Sequence, residues 1–288
     1  MDTQKLSFAF WGTPDVAADT LDILFTQGYI PSVIITAPDR PQGRGLTLTP
    51  PPVKAWALAH NVPFLQPEKL TGEFLSELST FDFQLSIVVA YGKILSQQII
   101  DLPQKGTINI HYSLLPKYRG ASPVESAVLH GDTETGIAIQ QMALGLDTGD
   151  ILVEEKVSID PDETAPALRK RLIKIGAELL VKTLPDIIAG SIDPQQQSAS
   201  GISTCGKIKK EDGLIDLLDD AQKNYNKYRA YYGWPGIFFF VGSPEDGKYG
   251  KRIKITEAVF ENNTFTPTKV IPEGKKEILF EEFKKQSL

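Results

Sequence analysis

The 288-residue sequence has few of the residues that form disulfides and metal sites: it contains one cysteine, Cys205, and three histidines. A single cysteine excludes an internal disulfide and any zinc site built on cysteine pairs, so we expect no bound metal. No segment approaches the roughly 18 apolar residues that a membrane span requires. The first ten residues lack the charged and then apolar pattern of a secretory signal. We therefore expect a cytoplasmic protein without membrane contact.

Signatures of nucleotide cofactors are also missing. Gly12-Thr-Pro14 follows the first predicted strand but lacks the spaced glycines of a dinucleotide site, and no phosphate-binding P-loop occurs. The net charge of −6 argues against indiscriminate nucleic-acid binding. That charge is uneven, because residues 203–288 hold 15 Lys and Arg against 13 Asp and Glu, whereas residues 1–202 hold 15 against 23. A relatively basic C-terminal part fits a polyanionic partner and, equally, an ordinary solvated surface.

The order of predicted elements indicates an α/β protein in residues 1–190. Apolar strands such as Leu85–Ala90 alternate with amphipathic helices such as Thr164–Ala189, and this βαβα order predicts a Rossmann-like, mostly parallel sheet. Residues 191–204 are polar and rich in Gln and Ser, which is typical of a linker. Short strands separated by turns follow in residues 205–288, and they predict a small β-barrel-like domain.

The most informative feature is a pair of polar residues on one predicted strand. Asn109 and His111 are two residues apart, so the alternation of a strand sends both side chains to one face. Asp147 follows on a glycine-rich loop, from which a carboxylate can orient or charge the imidazole. Amide, imidazole and carboxylate together suit an acyl transfer through a tetrahedral oxyanion. A satisfied polar pair is the alternative that these residues alone leave open.

Two further segments leave the predicted sheet close to this pair. Open parallel sheets bind ligands beyond the carboxyl ends of their strands. The segment that ends in Tyr91-Gly92 offers backbone groups and small side chains to a flat ligand at that edge. The Ser113-Leu-Leu-Pro116 turn follows His111 and is placed to pack against the same ligand.

Four motifs together resemble the signature of the 10-formyltetrahydrofolate-dependent formyltransferases: Asn109-Ile-His111, Ser113-Leu-Leu-Pro116, Tyr118-Arg-Gly120 and Gly145-Leu-Asp-Thr-Gly-Asp150. The resemblance covers nearly the whole chain. It implies that residues 1–190 form the catalytic domain and that 10-formyltetrahydrofolate donates the formyl group. It also implies a catalytic set of Asn109, His111 and Asp147, and a folate pocket that includes Val89, Ala90, Tyr91, Gly92, Ser113, Leu114, Leu115 and Pro116.

The loop Thr36-Ala-Pro-Asp-Arg-Pro-Gln-Gly-Arg-Gly45 resembles that of the family members that formylate methionyl initiator tRNA. Its arginines, Arg40 and Arg44, suit phosphates and unpaired bases. In those members the C-terminal part, here residues 205–288, is an OB-like barrel that lies along the tRNA. The resemblance therefore implies transfer to methionyl initiator tRNA, and we expect a monomer. Phosphate contacts are expected from Lys207, Lys209 and Lys210, each of which taken alone also fits a solubilising lysine.

Three other functions stay open at this point. A formyltransferase that acts on a nucleotide amino sugar would share the catalytic set but would not use tRNA. A folate hydrolase would replace the acceptor amine by water, and a non-catalytic RNA-binding protein would leave the catalytic set unused. Tyr112 stands where the family tends to carry a small residue, so its ring either changes the pocket wall or points to the other face of the strand.

Overall fold

The computed structural model describes residues 6–43, 45–242 and 250–287. Its strands, in chain order, are β1 Phe8–Gly12, β2 Val33–Ile35, β3 Arg40–Gln42, β4 Thr47–Thr49, β5 Phe64–Leu65, β6 Leu85–Val89, β7 Thr107–His111, β8 Arg119–Gly120, β9 Glu134–Gln141, β10 Ile151–Ser158, β11 Thr204–Cys205, β12 Ile237–Val241, β13 Lys251–Glu261, β14 Thr264–Pro272 and β15 Ile278–Leu279. Its α-helices are α1 Asp15–Thr26, α2 Pro52–Ala59, α3 Gly72–Leu78, α4 Gln97–Ile100, α5 Pro123–His130, α6 Ala165–Ala189, α7 Ala221–Ala230 and α8 Phe280–Ser287, and Lys210–Gly213 form a 3-10 helix.

Contacts divide the chain into two compact units, each built from three stretches of sequence. The predicted linker, residues 191–204, lies within the first unit. The domain boundaries at residues 190 and 205 stay a prediction. The first unit comprises Met1–Arg119, Gly136–Val157 and Lys170–Thr204, and the second comprises Gly120–Thr135, Ser158–Arg169 and Cys205–Leu288.

A seven-stranded sheet of order β10-β9-β7-β6-β1-β2-β5 forms the first unit's core. The strands β5, β2, β1, β6 and β7 run parallel, and β9 runs antiparallel to β7. Every residue of β1 and β6 is buried, as expected for strands covered on both faces. The buried Ser86 of β6 accepts a hydrogen bond from the Trp11 indole N–H at 3.2 Å. The predicted α/β fold with a mostly parallel sheet is confirmed.

The second unit contains a four-stranded antiparallel sheet of order β12-β13-β14-β15. This sheet confirms the predicted change to strands separated by turns in the C-terminal part, and the structure shows that the pairing is antiparallel. Helices α5 and α7 pack together in the same unit. Gly131, which ends α5, lies so close to Asn226 of α7 that an added Cβ would stand 2.7 Å from the side-chain nitrogen of Asn226.

The sequence prediction missed β10 and α8. Three exposed charged residues, Glu154, Glu155 and Lys156, occupy the middle of β10 and interrupt its apolar pattern. Helix α8 is only eight residues long, and half of its residues are charged, so its periodicity is too short to distinguish it from a closing segment.

The two faces of β7 have different neighbours. Asn109 and His111 share one face by alternation, and Ile110 belongs to the other. An added Cβ on Gly176 of α6 would stand 3.4 Å from both Ile110 and the Tyr112 ring. The absence of a side chain at Gly176 therefore lets α6 approach the sheet, and Tyr112 packs on the α6 face, away from the polar pair.

Candidate active site

His111 is buried at the end of β7, with 5% of its surface exposed. Its Nε2 atom lies 2.9 Å from the Tyr118 carbonyl oxygen. A carbonyl oxygen can only accept, so Nε2 carries the hydrogen and donates it. The other ring nitrogen, Nδ1, faces the Asp147 carboxylate, with 3.7 Å between Nδ1 and Oδ2. The structure thus brings His111 and Asp147 together, as the sequence predicts.

Burial lowers the pKa of His111 below its usual value of 6.5. The Asp147 carboxylate and the Tyr118 carbonyl act in the opposite direction, but their influence on this pKa is smaller. The sequence suggests that Asp147 can charge the imidazole, but desolvation has the larger effect on the pKa of His111. At neutral pH the ring is uncharged, and its lone pair is on Nδ1, the nitrogen that faces Asp147.

Asp147 lies on the loop between β9 and β10 in a strained backbone conformation, with φ of 49°. Asp tolerates this left-handed region better than most residues do. Gly149 allows the loop to fold back on β9, because an added Cβ there would overlap the carbonyl oxygen of Gln141. The backbone N–H of Gln141 donates to the Asp150 carbonyl at 2.8 Å and closes the loop at its base.

Gln140 is a polar residue of this site that the sequence prediction missed. It stands opposite Asn109 in the antiparallel β7–β9 pair and is 2% exposed. Its Nε2 donates to Asp147 Oδ1 at 3.0 Å, while its buried Oε1 has no hydrogen-bond partner among the described residues. The only available signal was the cross-strand register, which one sequence does not reveal.

Asn109 is half-buried in the middle of β7. Within the described parts of the chain its side-chain amide makes no hydrogen bond, in contrast to Gln140 beside it. The amide N–H groups are therefore available to a ligand on the same face as His111. On this face a donor suits a developing oxyanion, and the lone pair of the neutral imidazole suits acceptance of a proton.

The predicted folate segments meet this site at the carboxyl ends of β6 and β7. Val88 pairs with Asn109 across the two strands, so the turn that follows Val89 begins beside His111. Ala90 and Gly92 are exposed, with φ of 47° and 82°, whereas Val89 and Tyr91 are buried.

Tyr91 packs edge-on against Trp11, with 5.3 Å between ring centroids. Burial raises the pKa of Tyr91 to about 12, so its hydroxyl is neutral. That hydroxyl has no hydrogen-bond partner in the described residues. Small exposed side chains beside an orphaned buried hydroxyl suit a flat polar ligand such as a pterin.

The turn after His111 is compact. Ser113 is buried, and its hydroxyl donates to the Lys117 carbonyl at 2.6 Å. Leu114 and Pro116 are half-buried, Leu115 is buried, and the Leu115–Pro116 peptide is cis. The turn therefore places these residues directly after β7, the strand that ends at His111.

The residues predicted to contact tRNA lie apart from this site in the chain. Arg40 begins a small hairpin of β3 and β4, where its guanidinium pairs with exposed Glu68 at 2.9 Å. Arg44 lies outside the described residues. In the second unit Lys207, Lys209 and Lys210 are all exposed, and Lys207 borders a cavity of about 450 Å³ that exposed Trp234 also lines.

Among the described residues no group of three or more His, Cys, Asp or Glu side chains could hold a metal ion. No helix in the described ranges is long and apolar enough to cross a membrane.

Comparisons with known proteins identify the family. The family model of formyl transferase matches residues 5–184, and the model of the formyl transferase C-terminal domain matches residues 207–285. The chain belongs to the formyl transferase family. The methionyl-tRNA formyltransferase of Geobacter sulfurreducens is 41% identical over 275 residues, which cover 95% of this chain and 84% of the relative.

Solved structures of formyltransferases share the fold. The N-formyltransferase from Helicobacter canadensis, solved with folinic acid and dTDP-3-aminofucose, matches with a TM-score of 0.66 at 18% identity, over 96% of this chain and 98% of that one. The methionyl-tRNA formyltransferase from Clostridium thermocellum matches with a TM-score of 0.60 at 16% identity, over 95% and 99%. Since enzymes with different acceptors match about equally well, the fold does not distinguish between acceptors in this family.

Proposed function

We propose that this chain transfers the formyl group of 10-formyltetrahydrofolate to the α-amino group of methionyl initiator tRNA. The observation that carries the chemistry is the unpaired Asn109 amide beside a neutral, buried His111 whose Nδ1 faces Asp147. The acceptor follows from the 41% identity over 95% of the chain to a methionyl-tRNA formyltransferase. The sugar-acting alternative rests on fold likeness alone.

The geometry supports the following sequence of steps. The uncharged amine of the methionyl group attacks the formyl carbon, and negative charge develops on the formyl oxygen. Asn109 donates a hydrogen bond to that oxygen. Removal of one such donor commonly costs about 3–4 kcal/mol of transition-state stabilisation.

His111 acts as the base in this scheme. Its Nδ1 lone pair accepts the proton of the attacking nitrogen, directly or through one water, and returns it to N10 of the folate as the carbon–nitrogen bond breaks. The imidazolium formed in between is stabilised by Asp147 at Nδ1 and by the Tyr118 carbonyl at Nε2. His111 can donate a hydrogen bond to the oxyanion only in that charged form, because the N–H of the neutral ring is already bound to Tyr118.

Binding roles complete the proposal. The folate is held by the end of β6 and the segment after it, Val89, Ala90, Tyr91 and Gly92, and by the turn Ser113-Leu-Leu-Pro116. The tRNA is contacted by five basic residues: Arg40, Arg44, Lys207, Lys209 and Lys210. The enzyme works as a cytoplasmic monomer without a metal.

The test is formyl transfer by the purified chain with 10-formyltetrahydrofolate and four acceptors: methionyl initiator tRNA, the same tRNA uncharged, a dTDP-amino sugar, and water alone. We expect product with the charged tRNA only. Asn109→Ala should lower kcat about 100- to 1,000-fold, the range seen when an oxyanion donor is lost. Gln98→Ala, which removes an exposed amide, should leave kcat unchanged. Transfer to the sugar instead of the tRNA would overturn the acceptor, and wild-type kcat in Asn109→Ala would overturn the mechanism.

A further inference from the structure

Residues 195–203, called the strap here, bind two loops of the active site. At one end Gln195 exchanges two backbone hydrogen bonds with Ile151, both of 2.8 Å, just beyond the Asp147 loop. At the other end Ser203 Oγ accepts from the Tyr118 N–H at 2.8 Å, and the Ser203 carbonyl accepts from the Arg119 N–H at 2.9 Å. The strap is part of the segment that the sequence predicts as a linker. In the first unit its residues instead form hydrogen bonds with two loops.

Gln197 lies between these ends and binds both loops through its side chain. Its Oε1 accepts from Arg119 Nε at 3.1 Å and from Arg119 Nη2 at 2.6 Å. Its Nε2 donates to the Asp147 carbonyl at 2.9 Å and to the Gly149 carbonyl at 2.7 Å. The amide orientation is determined by its partners, since a guanidinium only donates and carbonyl oxygens only accept.

The two loops bound by Gln197 carry the two hydrogen-bonding neighbours of His111. Tyr118, next to Arg119, supplies the carbonyl that binds Nε2, and Asp147 supplies the carboxylate that faces Nδ1. The charged guanidinium also strengthens the amide's own donation, since hydrogen bonds in a chain polarise one another. One side chain thus connects the groups on both sides of the imidazole.

We propose that Gln197 is a positioning residue of the formyl transfer: held by Arg119, it fixes Asp147 at the distance at which the carboxylate stabilises the protonated His111. The proposal rests on the proposed function of the Asn109, His111 and Asp147 set. It gives Gln197 no contact with either substrate, so it affects the chemical step rather than binding.

The test compares Gln197→Ala, Gln197→Glu and Arg119→Lys with Gln196→Ala, which changes the exposed neighbouring glutamine. Displacement of a reacting group by about 1 Å can cost 100-fold in rate, so we expect Gln197→Ala to lower kcat about 10- to 100-fold. KM for the folate and for the tRNA should stay within about twofold of wild type, because no substrate contact is lost. Gln196→Ala should match wild type.

Two further readouts distinguish positioning from folding. Asp147 raises the pKa of His111, so a displaced Asp147 should move the acidic limb of the kcat profile to lower pH in Gln197→Ala. Gln197→Glu retains an acceptor for Arg119 but turns a carboxylate oxygen towards the Asp147 and Gly149 carbonyl oxygens, which repel it. The Asp147 loop should therefore shift and kcat should fall, while the contact with Arg119 keeps the strap bound. If Gln197→Ala does not fold, the kcat values and pH profiles of Gln197→Glu and Arg119→Lys test the proposal instead.

Wild-type kcat in a folded Gln197 variant would overturn the proposal. A loss of kcat with an unmoved pH profile would also overturn it. Asp147→Ala, assayed in parallel, separates this failure from a failure of the proposed function. If Asp147→Ala is inactive and Gln197→Ala is not impaired, only the positioning role falls; if Asp147→Ala is fully active, the catalytic set itself is wrong.

Discussion

The two halves of the proposed active site are supported in different ways. Asn109 and His111 lie on β7, which is paired on one side with β6 and on the other with β9. Asp147 lies on a loop with a left-handed backbone, and side chains from elsewhere in the sequence, Gln140 and Gln197, bind it. The strand half depends on backbone ladders that most substitutions leave intact. The loop half depends on a few individual contacts, so single substitutions should displace Asp147 more easily than Asn109 or His111.

The strand half should show the largest single effect, through His111→Gln. Glutamine retains a donor for the Tyr118 carbonyl but cannot take the proton of the attacking amine. Loss of a general base typically costs about 100- to 10,000-fold, and we expect kcat to fall within that range with tRNA affinity near normal. Steady-state kinetics and a tRNA binding titration check this result.

The pH dependence of kcat gives a second test of His111 as the base. Because burial lowers the pKa of His111, the neutral base persists to a pH below 6.5, and wild-type kcat should decline only as pH falls through that lowered pKa. His111→Gln should lack this limb. A wild-type kcat that instead declines as pH rises through the His111 pKa would show that the charged imidazole, rather than the neutral one, starts the reaction.

Gly149→Ala should disrupt the loop half. An alanine there would place its Cβ on the Gln141 carbonyl, so the loop must move and Asp147 with it. We expect Gly149→Ala to lower kcat about 100-fold, the cost of a displacement near 1 Å. Gly72→Ala is the matched control, because nothing lies within 4 Å of its added Cβ. Equal kcat in the two variants would show that the loop tolerates displacement.

These two halves also differ in how well the sequence predicts them. The spacing of Asn109 and His111 on an apolar strand predicts their common face, because strand alternation is local. Gln140 and Gln197 depend on the register of β9 against β7 and on hydrogen bonds between residues far apart in the chain. No local pattern records such pairings, so Gln140 is missed and Gln197 falls in a segment predicted as a linker.

A smaller effect is expected from Gln140→Leu. The substitution removes the hydrogen bond to Asp147 Oδ1 but also removes the buried Oε1 that has no partner among the described residues. An unsatisfied buried polar group costs about 1–3 kcal/mol, so the free energy of unfolding should be unchanged or higher. At the same time we expect kcat to fall about 10-fold, since Gln197 still holds the backbone of Asp147. A joint fall in stability and kcat would contradict this account.

The smallest effect concerns stability and again involves His111. Its pKa in the folded protein lies below the value of 6.5 for an unperturbed histidine. Between these two pKa values the unfolded chain binds a proton that the folded chain does not, so stability is lost as pH falls through that window. One such group contributes a slope of at most about 1.4 kcal/mol per pH unit.

His111→Gln should remove this slope, whereas Gln140→Leu should retain it because the imidazole stays buried. Urea unfolding at pH 7.5, 6.5 and 5.5 measures the difference between each variant and wild type, in which the carboxylates common to all three proteins cancel. If the slope survives unchanged in His111→Gln, other groups cause it, and folding does not lower the pKa of His111.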